Sequence, residues 1–180
     1  MALDEVYLGN PLLKKANVKQ EFTKDQILEF MACKADPVYF AKQHVKIVSL
    51  DEGLVNFEPY DFQEGLIRKF HENRFNICKM PRQTGKSTTS VAYLLHYAVF
   101  NDNVNIGILA NKAATARELL GRLQTAYENV PKWMQQGVLS WNRGSLELEN
   151  GSKILAASTS ASAVRGMSFN ILFLDEFAFV

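Results

Sequence analysis

The chain has 180 residues, long enough for one domain with a sizeable core, and 47% apolar with 22% charged residues is ordinary for a globular protein. A net charge of +1 gives no electrostatic case for nucleic-acid binding by this segment. No stretch has the length of a membrane span, no charged start leads into an apolar leader, and Cys33 and Cys78 lack metal-ligand spacing, so reduced thiols in a cytosol are the simplest reading.

Residues 1 to 22 carry a mixed pattern with a turn at Gly9-Asn10-Pro11. Thr23-Lys24-Asp25-Gln26 has the capping-box form, followed by Ile27, Leu28, Phe30 and Met31 at helical spacing. Asp36-Pro37 is a second helix start, and His44 closes that helix, as a helix-end residue rather than a ligand. Val45-Val48 and Leu54-Phe57 flank Asp51-Glu52-Gly53 and predict a hairpin. Asp61 is then placed to cap a helix through Leu66, Ile67 and Phe70. Phe62-Gln63 pairs an aromatic with an amide, which suits stacking on a base and reading its edge, or a plain amphipathic surface.

The apolar run Phe75-Asn76-Ile77-Cys78 predicts a strand, with Cys78 in the core. Lys79-Met80-Pro81-Arg82-Gln83-Thr84-Gly85-Lys86-Ser87 follows and opens a helix through Val91, Leu94, Leu95 and Val99. Strand, loop and helix in that order make a phosphate cradle from backbone N–H groups and a helix N-terminus. Gly85 lets the backbone approach, Lys86 brings a point charge and the Ser87 hydroxyl suits magnesium, although Met80 stands where the usual pattern has its first glycine.

Val104-Ala110 reads as a buried strand and Lys112-Asn129 as a helix, an alternation that predicts a parallel sheet covered on both faces. Pro131 stops the helix. Val138-Trp141, Leu146-Glu149 and Lys153-Ala157 are β-like, the last two joined by the strong hairpin signal Asn150-Gly151. Ile171-Leu172-Phe173-Leu174 ends in Asp175-Glu176 and suits a strand buried on both faces, with its acids at the carboxyl edge where such sheets bind ligands. Asp175 would hold magnesium and Glu176 would act as general base on an attacking water.

Together, Pro81-Ser87, the segment Ala163-Val164-Arg165-Gly166-Met167-Ser168-Phe169, and Leu174-Asp175-Glu176-Phe177-Ala178-Phe179 resemble the ATPase region of tailed-phage terminase large subunits, closest to the contractile-tailed branch. The resemblance runs back through Asn142-Arg143-Gly144-Ser145-Leu146-Glu147-Leu148 and Tyr60-Asp61-Phe62-Gln63 to about Leu12. It implies an α/β P-loop NTPase of the additional-strand ASCE type, with a mainly parallel sheet flanked by helices. Residues 1–60 would form a helical and hairpin segment packed on a partial ATPase core, 61–180, truncated after the Walker B strand and without the nuclease domain.

The resemblance also implies ATP and Mg2+ as cofactors, a nucleotide site formed by Arg82, Gln83, Thr84, Gly85, Lys86, Ser87 and Thr88, and Gln63 at the adenine. Arg82 would act on the phosphates in its own subunit, and Arg165 would reach a neighbouring subunit's site as a finger. Glu58 stands where glutamine is expected and carries no role. The implied partners are double-stranded viral DNA, the portal protein, the terminase small subunit and a homo-oligomeric ring, in the cytoplasm of the infected host at the procapsid portal, with no membrane. A helicase-like translocase ATPase and a non-catalytic truncated fragment stay open as alternatives. In related ATPases a later strand inserts between the Walker A and Walker B strands, so the 180-residue piece is expected to fold marginally and hydrolyse ATP poorly.

Overall fold

A computed structural model of the chain describes residues 5–49, 51–160 and 166–176. Its organising element is the helix α4 (Lys86–Phe100), buried almost all round from Thr89 to Phe100. A helix without a polar face has to lie between layers. On one side lies α5 (Ala113–Glu128), which in turn covers the sheet; on the other lie α2 (Pro37–His44) and α3 (Asp61–Glu72). The outermost helix, α1 (Lys24–Ala35), packs on α2.

Local signals explain these helix starts. The Thr23 hydroxyl accepts from the Gln26 N–H while the Gln26 side chain accepts from the Thr23 N–H, which closes the expected capping box. Asp36 accepts from the Val38 N–H ahead of Pro37 at the first helical position. The start of α3 differs by one residue from expectation. Asp61 is its first helical residue, and Gln63 reaches back to accept from the Tyr60 N–H at 2.9 Å.

Three sheets are present among the described residues. Two are antiparallel hairpins: β1 (Val6–Tyr7) with β2 (Asn10–Lys14), and β3 (Lys46–Ser49) with β4 (Gly53–Asn56). The main sheet contains β5 (Asn105–Ala110), β6 (Val138–Trp141), β7 (Ser145–Leu148), β8 (Lys153–Ser158) and β9 (Ile171–Leu174), in the order β6-β7-β8-β5-β9. It is mixed rather than mainly parallel. β8, β5 and β9 run parallel, whereas β6-β7 and β7-β8 are antiparallel. The reason is local, because the turns at Asn142-Arg143-Gly144 and Asn150-Gly151 are too short to cross over and can only reverse the chain. At the second turn the Asn150 side-chain amide donates to the Ala98 and Asn101 carbonyls, and the Gly151 N–H donates to the Leu148 carbonyl.

Two strand expectations are corrected. β9 lies at the sheet edge and is only partly buried, with Leu172 exposed. It approaches β5 so closely that a side chain at Gly107 would meet Leu172 at 2.9 Å. Residues 75–78 form no strand. Phe75 and Ile77 are 84% and 96% exposed, and Cys78 is exposed rather than in the core. An apolar run becomes a strand only where a neighbouring strand takes its backbone groups, and among the described residues none does so.

Candidate functional site

The loop at 81–85 is shaped by its own side chains. Gly85 has φ +75° and caps α4, a left-handed conformation that glycine adopts without penalty. Gln83 is also left-handed, at φ +62°. The Thr84 hydroxyl donates to the Pro81 carbonyl at 3.0 Å, and the Thr89 hydroxyl to the Gly85 carbonyl at 2.9 Å. The Lys86 ammonium folds back onto the Met80 and Pro81 carbonyls at 3.2 and 3.0 Å. The loop is thus tied together by the Thr84 hydroxyl and the Lys86 ammonium, both bonded to its carbonyls.

Gln63 ties this loop to α3. It is 4% exposed, and its amide donates to the Thr84 carbonyl at 3.2 Å while its oxygen takes the Tyr60 N–H. A Cβ at position 85 would stand 2.3 Å from the Gln63 amide nitrogen, so any other residue there would displace the Gln63 amide. Beside it opens a cavity of about 640 Å³ between the β3–β4 hairpin and the first turn of α4, lined among others by Asn56, Glu58, Tyr60, Gln63, Gly85 and Thr88. That volume is within the usual range for small-molecule sites. Tyr60 and Phe62 are stacked and exposed, with ring centres 5.8 Å apart.

Across the loop, Asp175 follows β9, anchored by its N–H to the Leu109 carbonyl at 2.9 Å. Burial and the adjacent Glu176 carboxylate push the Asp175 carboxyl above its usual range, while a backbone hydrogen bond and the Lys86 and Arg122 cations pull the other way. Lys86 and Asp175 are therefore within reach of one another's fields. Glu176 is exposed and sits at φ +51°, a strained setting for a side-chain-bearing residue of the kind that clusters at functional sites.

Comparison with known proteins bears on this arrangement. The family described as terminase large subunit, T4likevirus-type, N-terminal, matches residues 77–180. The chain belongs to the terminase large subunit family. Its fold is similar to that of the HK97 bacteriophage large terminase, with a TM-score of 0.63 and 19% identity over 78% of this chain. The match spans 30% of the length of that terminase.

In this terminase chain the structure joins Gln63, Thr84 and Gly85 directly, lines one cavity with Gln63, Gly85 and Thr88, and lets the Lys86 charge act on Asp175. Ser87 and Thr88 are half-buried on the first turn of α4. Arg82 is exposed on the loop. Arg165 lies outside the described residues. Sequence reasoning missed the β3–β4 hairpin as a cavity wall and Arg122 as a cation acting on Asp175. Neither has a sequence signal, because both arise from tertiary packing. Among the described residues, no helix is long and apolar enough to cross a membrane.

Proposed function

We propose that this chain is the ATP-binding and hydrolysing segment of a terminase large subunit that powers DNA packaging, with 61–180 as a P-loop core of the additional-strand type and 1–60 packed on it. The observation that carries this reading is that the Lys86 charge, at the start of the loop helix, acts on the Asp175 carboxyl at the end of β9. Two adjacent carboxyls, one raised by burial first and by its neighbour second, are a setting that a divalent cation relieves.

In this reading Gly85 and the first N–H groups of α4 receive the phosphates, and the Lys86 ammonium exchanges two carbonyls for phosphate oxygens. Arg82 adds charge at the phosphates within the same subunit, and Arg165 acts on a neighbouring subunit's site. Gln83, Thr84 and Thr88 shape the cradle, and the base occupies the cavity beside Gln63 and Tyr60. Ser87 and Asp175 hold Mg2+, which supplies charge neutralisation when bound. Glu176 accepts the proton of the attacking water.

The whole protein would act as a homo-oligomeric ring on the portal protein, receive double-stranded viral DNA with the small subunit, and work in the host cytoplasm at the procapsid. In the full-length protein, Lys86→Ala and Glu176→Gln should each lower ATP turnover by at least about 100-fold. Unchanged turnover in both would overturn the reading. Magnesium-dependent ATP binding, measured by calorimetry, should be lost in Lys86→Ala and kept in Glu176→Gln.

A further inference from the structure

Away from the nucleotide cavity, the packing of α1 on α2 brings together three side chains that neither helix unites alone. Glu29 and Cys33 lie one turn apart on the same face of α1, and His44 ends α2. The carboxylate oxygen of Glu29, the sulfur of Cys33 and a ring nitrogen of His44 all lie within 4.8 Å of one another. The spacing of cysteines along the chain conceals this set, because its members are a thiol, an imidazole and a carboxylate from two elements.

The geometry points to a site for a borderline-soft divalent ion of the zinc class, held by Glu29, Cys33 and His44 with water in the fourth position. Bonds of about 2.3 Å to sulfur and about 2.1 Å to oxygen at a tetrahedral angle put those two atoms roughly 3.6 Å apart. The Cys33 sulfur and Glu29 Oε1 are 3.5 Å apart already. The His44 Nε2 and Glu29 Oε1 atoms, at 2.7 Å, have to part by roughly 0.6 Å to reach the spacing of two ligands on one ion. Ligation releases the Cys33 thiol proton to solvent and frees His44 Nε2 of the proton it shares with Glu29 Oε1, which either shifts to Nδ1 or, if Nδ1 already holds one, leaves with the thiol proton to solvent.

Two further features suit an ion. The second oxygen of Glu29 accepts from the Tyr39 hydroxyl at 3.0 Å, the kind of outer hydrogen bond that orients a ligating carboxylate and leaves its first oxygen aimed at the other two groups. Cys33 is fully buried, and the His44 ring packs near Phe40 and Trp133. A sulfur, a nitrogen and a single carboxylate disfavour magnesium and calcium, so this ion is chemically separate from the one at Asp175. The Cys33 carbonyl also bonds to His96 Nε2 at 2.9 Å, so an ion here would brace α1 and α2 against α4, the helix that begins at Lys86.

The test uses the purified chain, stripped with chelator and titrated with cobalt(II) alone, then with zinc in competition. One equivalent of cobalt should give a thiolate-to-metal charge-transfer band that zinc abolishes and excess magnesium does not. Cys33→Ser should erase the band, whereas Cys78→Ser should keep it. Tyr39→Phe retains all three ligands and should weaken binding by roughly 10–100-fold. Zinc should raise the melting temperature of the wild type and not of Cys33→Ser. Absence of the band in the wild type, or a band that survives Cys33→Ser and vanishes in Cys78→Ser, overturns the assignment. None of these readouts involves ATP.

Discussion

The side-chain amide of Gln63 donates to the Thr84 carbonyl across the junction of α3 and the loop, while its oxygen takes the Tyr60 N–H. Both ends of one buried amide are therefore spent on positioning the backbone around the cavity. Gln63→Ala strips a buried donor and acceptor of their partners and should cost about 1–3 kcal/mol of stability, together with weakened nucleotide binding. Gly85→Ala should cost more than about 1 kcal/mol, since it forces a side chain into a left-handed backbone and against Gln63. Urea denaturation of both variants checks this, and equal stability in Gly85→Ala and wild type would contradict it.

His96 supplies a stability change at acid pH. Burial holds its imidazole down at about 4, against an ordinary value of 6.5. The unfolded chain then binds the proton more readily than the folded one, so the contribution is intact above pH 6.5 and is lost as pH falls toward about 4. The span corresponds to roughly 3 kcal/mol. His96→Gln, which keeps a donor for the Cys33 carbonyl without titrating, should flatten the melting-temperature profile across that window.

The sign reverses at Asp175. Its carboxyl titrates above 3.8 because of burial first and Glu176 second, so the folded state favours the protonated form. That contribution is present at low pH and disappears as pH rises through the folded value. Asp175→Asn should therefore stabilise the metal-free chain at neutral pH, and the advantage should disappear when magnesium and ATP are added to the full-length protein. Thermal melts with and without the nucleotide separate the two.

Exposure at 75–78 gives a contrast in mutational cost. Ile77→Ala should change the stability of the 180-residue chain by less than about 0.5 kcal/mol, as for a surface position. Leu95→Ala, at a fully buried position of α4, should cost about 2–5 kcal/mol. If the full-length protein pairs 75–78 within its sheet, Ile77→Ala should become costly there, and comparing the two lengths of chain measures that difference.

What was legible in the sequence was what short-range chemistry decides. The Thr23 capping box, the Asp36-Pro37 start and the hairpin at Asn150-Gly151 depend on residues a few positions apart, and each forms as its pattern requires. The apolar run at 75–78 has the composition of a strand, but pairing depends on a neighbour that composition cannot supply. The parallel expectation failed at β6 and β7 because the alternation of strand and helix stops at Pro131, after which tight turns take over. At the site, the order of loop and acids along the chain suggests that Lys86 and Asp175 act together, and in the structure the Lys86 charge acts on Asp175. The commitment of both ends of Gln63, the hairpin wall and the meeting of Glu29 with His44 exist only once α1, α2 and α3 have packed.

An asparagine followed by glycine is the pair at which a polypeptide ages fastest, because the glycine nitrogen can attack the side-chain carbonyl and expel ammonia. At Asn150 the departing nitrogen is anchored to two carbonyls at the end of α4, and the attacking nitrogen is turned toward Leu148. Intact chains should therefore keep this amide through long storage, whereas unfolded chains lose it and gain a negative charge visible by mass spectrometry and isoelectric focusing.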